Sequence, residues 1–184
     1  MTGSDRTGHA ELTLRTRALQ AVFAGISRSR VAGLPFMNTA LQVEAVGFGL
    51  EPAPPRDDAQ HRPDPRAATG ILVTPWFMNL VWLPVARCDT PALIGTTRVR
   101  NIGHAQFAFT GSHEDGLGSF EACSMFSPMF EFATQADAIA TASALLAQLR
   151  GRADAPPDAR PDSALTAPAR RAFLLGRAAQ EHAP

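Results

Sequence analysis

Lysine is missing from this chain. All 17 basic residues among its 184 are arginine, and they are matched by 17 Asp and Glu. The resulting net charge of zero argues against a general attraction to nucleic acid or to an anionic membrane surface. Long hydrophobic runs are lacking too. None approaches the roughly 20 apolar residues of a membrane span, although 45% of the chain is hydrophobic. The opening residues have neither the basic start nor the apolar centre of a secretory signal, so the expected location is the cytoplasm. Cysteine is scarce. Cys88 and Cys123 form no C-x-x-C pair, and two thiols are expected rather than a disulfide. The histidines, His9, His61, His104, His113 and His182, include no H-x-H or H-E-x-x-H spacing, so no zinc site and no other cofactor is expected.

What the chain does have is an apolar, aromatic stretch. Thr74-Pro75-Trp76-Phe77-Met78-Asn79-Leu80-Val81-Trp82-Leu83-Pro84 holds both tryptophans, and Gly70-Ile71-Leu72-Val73 leads into it. The β-branched run reads as a buried strand. Pro75 removes a ladder donor and fixes φ, so the strand must bend at 74–75 and resume through 80–83. Side chains at such a bend either fill a core or form a rigid apolar grip for another protein.

The flanking segments give an α+β fold. Residues 11–30 read as a helix, with Leu12, Leu19, Val22, Phe23 and Ile26 on one face and Gly33-Leu34-Pro35 as its stop. Residues 41–48 alternate with period two, as a half-buried strand does. Residues 96–101 and 104–111 read as two antiparallel strands, 111–118 as a wide turn, and 119–126 as the last strand. Residues 134–149 form a second helix, started by Thr134 or Gln135 and ended by Gly151. The expectation is an N-terminal helix, an antiparallel meander sheet of about five strands, and a C-terminal helix packed on the same face. Residues 1–9 are expected to be disordered. The folded domain spans 10–150 with a proline-rich insert at 51–66, and 151–184 is a linker and tail.

Catalytic constellations are hard to find. Gly111-Ser112-His113-Glu114-Asp115 packs a hydroxyl, an imidazole and acids together, but sequence neighbours cannot form a triad, and a solvated turn is the better reading. Cys123 reads as a small buried residue. The alternative is a thiol-dependent metal or redox handling role in metallocentre assembly, which requires exposure and a lowered pKa. Between residues 112 and 140 there are five acids and no arginine. An acidic patch with Glu121 and Glu131 beside exposed Met125, Phe126, Met129 and Phe130 would suit a basic, apolar peptide.

Three blocks carry a family resemblance. They are Gly33-Leu34-Pro35-Phe36-Met37-Asn38 running on to Val43-Glu44-Ala45-Val46-Gly47-Phe48, then Thr74-Pro75-Trp76-Phe77-Met78-Asn79-Leu80, then Cys123-Ser124-Met125-Phe126-Ser127-Pro128-Met129-Phe130-Glu131-Phe132. In order and spacing, over roughly residues 12–149, they resemble the HybE/HupJ family of accessory proteins in [NiFe]-hydrogenase maturation. The resemblance implies a chaperone rather than an enzyme. Its implied partner is a hydrogenase subunit precursor, small or large, including the small subunit with its twin-arginine signal, and other maturation proteins are further partners. No catalytic or metal-binding residue carries over. The motif positions Trp76, Phe77, Met78, Asn79, Glu121, Met125, Phe126, Pro128, Met129 and Glu131 become the expected partner-binding residues. In the tail, Ala169-Arg170-Arg171-Ala172-Phe173-Leu174-Leu175 resembles a twin-arginine motif but lies far from the N-terminus, with no long apolar region after it. Arg170, Arg171, Phe173 and Leu174 are therefore expected to act as an internal pseudo-signal, or simply as one face of a solvated helix.

Overall fold

Two helices and six strands make up the residues that the computed structural model describes, 3–51, 66–89 and 94–151, with side chains from residue 8 onward. The insert at 52–65 and the tail at 152–184 lie outside the described residues, and with them Arg170, Arg171, Phe173 and Leu174. In chain order the elements are α1 (Gly3–Arg28), β1 (Glu44–Leu50), β2 (Ala67–Val73), β3 (Met78–Pro84), β4 (Thr97–Ile102), β5 (Ala105–Glu114), β6 (Gly118–Phe126) and α2 (Gln135–Gly151). The fold is α+β, as expected, and three details differ from the expectation.

The first is the path of the sheet. Its strand order is β1-β2-β3-β6-β5-β4, with antiparallel pairing throughout. It is two three-stranded meanders joined along β3 and β6, not one meander, and it has six strands rather than five. After β3 the chain crosses to the far edge and works back inward. The second is the start of α1. The helix begins at Gly3 and takes in most of the stretch expected to be disordered.

The third is the placement of the helices, which lie on opposite faces of the sheet. Leu19, Phe23 and Ile26 of α1 pack with Leu72, Val81, Leu83, Leu117 and Phe120. Ala138, Ala142, Leu145, Leu146 and Leu149 of α2 pack with Ile71, Val73, Met78, Leu80, Phe107, Phe109 and Cys123. Strand side chains alternate between faces, so neighbours such as Ile71 and Leu72 belong to different cores. All seven residues of β2 are buried, as a central strand covered on both faces requires. Edge strand β4 is mostly exposed and carries Arg98 and Arg100, charges that discourage pairing with another sheet.

Local chemistry fixes the helices. Thr134 caps α2: its hydroxyl accepts from the Asp137 amide at 3.2 Å and donates to the Asp137 carboxylate at 2.8 Å. Arg15 ties α1 to the sheet, donating to the carbonyls of Pro84 at 3.0 Å and Leu117 at 2.8 Å. Where α2 ends, the β4–β5 turn closes on it so tightly that a Cβ on Gly103, at φ +58°, would lie 1.7 Å from the Leu149 carbonyl oxygen. Only glycine meets both demands there.

Candidate functional site

The bend at Pro75 is a complete reversal. Val73 pairs with Met78, so Thr74-Pro75-Trp76-Phe77 is the loop of the β2–β3 hairpin. Thr74 organises it. Its amide donates to the Phe77 carbonyl at 2.9 Å, and its hydroxyl accepts from the amides of Trp76 at 3.3 Å and Phe77 at 2.9 Å. Asn38 then fastens this loop to its neighbours. Its amide nitrogen donates to the Pro75 carbonyl at 2.8 Å. Its side-chain Nδ2 donates to the carbonyls of Met129 at 3.0 Å and Phe132 at 2.8 Å. The Ser127 hydroxyl adds a bond to the Trp76 carbonyl at 3.3 Å. Three sequence blocks, around residues 38, 75 and 127–132, thus meet at one end of the sheet.

On the α1 face, that loop presents aromatic rings. Phe23 lies in the middle, stacked on Trp76 at 6.5 Å and edge-on to Phe77 at 5.8 Å and Phe120 at 5.9 Å. Beside these rings opens a cleft of about 470 Å³. Phe23, Leu72, Phe77, Val81, Phe120 and Ala122 supply its apolar surface, and Ile94, Gly95 and the 111–114 end of β5 form its rim. Asn79 also lines it. The Asn79 Oδ1 is buried and has no hydrogen-bond partner among the described residues. A buried acceptor left unmatched costs roughly 1–3 kcal/mol.

Ion pairs edge the cleft. Glu114 pairs with Arg30 of the loop that follows α1. His113 Nε2 lies 3.1 Å from the Asp89 carboxylate, and Asp115 is fully exposed with an oxygen 3.9 Å from His113 Nδ1. The hydrogen bond from His113 is the main cause that holds the Asp89 carboxyl below its ordinary value.

The structure divides the expected partner-binding residues among different surroundings. Trp76, Phe77 and Asn79 are half-buried, and the latter two line the cleft. Met78, Phe126 and Met129 are sealed in the core under α2, at 0%, 1% and 0% exposure, with half-buried Met125 against them. They cannot form an exposed methionine-rich surface, because a register shift between Met78 and Asn79 opposite β6 turns Phe126 inward. Pro128 and Glu131 are exposed beside Phe130, away from the cleft lining.

Glu121 also departs from expectation. It is 4% exposed, and Arg100 binds its two oxygens at 2.7 and 2.8 Å while lying over the Trp82 ring at 4.0 Å. It is an internal ion-pair partner and not a surface acid. Three of the five acids in the stretch are engaged in this way: Glu114 with Arg30, Glu121 with Arg100 and Asp137 with the α2 cap. The 111–118 segment is β-strand through Glu114, so the wide turn shrinks to a tight one in which the Leu117 amide donates to Glu114. Cys123 is 3% exposed, paired across from Leu80, and presents no accessible sulfur for thiol chemistry. Sequence reasoning missed Phe23 and Phe120 as cleft residues, Ile94 as its exposed rim, and Asn38 as the fastener.

Known proteins resolve the identity of the fold and family. Residues 14–176 match the sequence model described as [NiFe]-hydrogenase assembly, chaperone, HybE. The chain belongs to the HybE family of [NiFe]-hydrogenase assembly chaperones. Protein HoxT of Cupriavidus necator is 42% identical over 169 residues, covering 89% of each chain. The hydrogenase expression/formation protein HupJ of Bradyrhizobium diazoefficiens is 37% identical over 177 residues, covering 96% of each. The solution structure of HybE from Escherichia coli superposes with a TM-score of 0.51 at 17% identity, covering 83% of this chain and 89% of that one, so it shares the fold. The HybE match continues past the end of α2 into the tail, as far as residue 176. No helix among the described residues is long and apolar enough to cross a membrane.

Proposed function

We propose that this HybE-family chaperone holds a hydrogenase subunit precursor at the α1-face cleft, in the cytoplasm, before assembly and export. The small subunit with its twin-arginine signal is the partner we favour. The observation that carries this reading is the cleft itself: an open apolar hollow between Phe23, Phe77 and Phe120, with the unmatched Asn79 Oδ1 in its wall and ion pairs at its edge. Half-buried Phe77 is already held edge-on by buried Phe23, so it loses little freedom on contact, which is why such groups anchor interfaces. A peptide with apolar side chains and positive charges complements the hollow and its edge.

The test is co-purification of small- and large-subunit precursors, with and without the signal peptide, on the full-length protein and its Ile94→Arg variant. Ile94 is 54% exposed on the rim, so the substitution places a charge over the hollow at little structural cost. Capture of the signal-bearing small subunit by the wild type and at least tenfold weaker capture by Ile94→Arg are expected. Equal capture by both proteins, with an unchanged melting curve, would refute the cleft as the docking surface.

A further inference from the structure

The described structure ends at Gly151 with the close of α2, and 33 further residues follow. Within them, Arg170-Arg171-Ala172-Phe173-Leu174-Leu175 combines two guanidinium groups with three large apolar side chains. No other part of the chain beyond α2 has both. We propose that this segment docks in the chain's own α1-face cleft and is displaced when a partner binds. The inference rests on the reading of that cleft as a docking surface and adds its regulation.

Three observations support the tail as occupant. The chemistry is complementary. Phe173 and the leucines match a hollow walled by Phe23, Phe77 and Phe120. At the rim, Glu114 receives a single guanidinium nitrogen from Arg30, and next to it, outside the cleft lining, Asp115 is fully exposed, so both carboxylates retain acceptor capacity for arginine. The length is sufficient. Residues 152–168 lie between α2 and the segment, and a chain of that length extends to as much as about 55–60 Å, more than is needed to pass from one face of a helix–sheet–helix sandwich to the other. The family match also runs through the segment and stops at residue 176, so this stretch is part of what the family model describes.

Tethering makes even weak docking effective. A tether of this length presents its end at a concentration of order millimolar, so an intrinsic affinity of about 0.1 mM would mask the cleft by roughly tenfold. A competitor that binds tightly still enters, whereas weak, nonspecific apolar peptides are kept out.

The experiment uses full-length protein and a fluorescent peptide of residues 167–176. The tail variant carries Arg170→Glu, Arg171→Glu and Phe173→Asp. The peptide is expected to bind this variant about tenfold more tightly than wild type, and Ile94→Arg added to the variant is expected to abolish the gain. The Trp76 indole NMR signal is expected to differ between wild type and tail variant, with Trp82 as the unaffected reference. Equal peptide affinity for wild type and tail variant overturns the proposal. So does a gain that survives Ile94→Arg, and so does a concentration-dependent dimer in which the tail serves a second copy. If the peptide behaves as expected but no precursor is captured, the proposed partner fails and self-docking stands. If precursors are captured through the cleft but the peptide never binds, the reverse holds.

Discussion

Replacing Glu121 by Gln tests whether this acid belongs to the inside of the protein. The substitution keeps shape and removes the charge. It leaves the Arg100 guanidinium, 10% exposed, beside Trp82 without its bidentate partner. Arg98, 4.0 Å from the same carboxylate and 46% exposed, can turn to solvent, so the loss falls mainly on Arg100. Breaking a buried pair from one side typically costs about 3–5 kcal/mol, which for a chain of this size lowers Tm by about 6–20 °C. Arg100→Met is expected to cost a similar amount. The double variant Glu121→Gln with Arg100→Met is expected to be more stable than either single change, because no uncompensated charge remains. Thermal and urea unfolding of the four proteins closes the double-mutant cycle. A Glu121→Gln effect below about 0.5 kcal/mol, the range of ordinary surface changes, or simple additivity across the cycle, would refute the argument and return Glu121 to the surface.

Other outcomes follow from the same geometry. Asn38→Ala removes the two side-chain bonds that gather Met129 and Phe132 beside the hairpin; a loss of about 1–3 kcal/mol is expected, read by urea unfolding, together with weaker precursor capture. Gly103→Ala places a methyl group against the Leu149 carbonyl at a positive φ; it should cost clearly more than the 1–2 kcal/mol of the left-handed conformation alone, with the β4–β5 turn and the end of α2 losing hydrogen-exchange protection together. Cys123→Ser is expected to lower stability by about 1–3 kcal/mol, as burying a hydroxyl does, and to leave hydrogenase maturation in complemented cells intact, since the sulfur is sealed in the α2 core. The His113 hydrogen bond depresses the Asp89 carboxyl, so the stability it contributes is complete above the unfolded-chain value of about 3.9 and disappears as pH falls through the lower folded value. Asp89→Asn should therefore lower stability in the neutral region and flatten the acid limb, the two proteins converging at low pH.

Much of this was legible in the chain. The apolar stripe of α1, the Thr134 cap, the Gly151 stop and the aromatic hairpin could each be read locally, because period, capping and proline chemistry act over a few residues. The placement of α2 was not read, although a signal existed. Gly70-Ile71-Leu72-Val73 shows no alternation, and a strand apolar at every position needs cover on both sides. Glu121 was misplaced for a different reason. Its partner lies 21 positions away across β5, and no local pattern pairs Glu121 with Arg100. The cleft was half visible: Trp76, Phe77 and Asn79 were in view, but Phe23 and Phe120 arrive from α1 and β6 only through tertiary folding. Met125, Phe126 and Met129 looked like a sticky surface because methionine and phenylalanine suit cores and contacts equally.

The sheet acts as a partition. Along β3, Met78 and Leu80 look into one compartment while Asn79 and Val81 look into the other. One seven-residue strand therefore carries two independent inheritances, interleaved residue by residue. A change at Asn79 alters the α1-face cleft, while Met78 and Leu80 keep the α2 core intact. One register can thus vary without renegotiating the other, within a fold that persists at 17% identity.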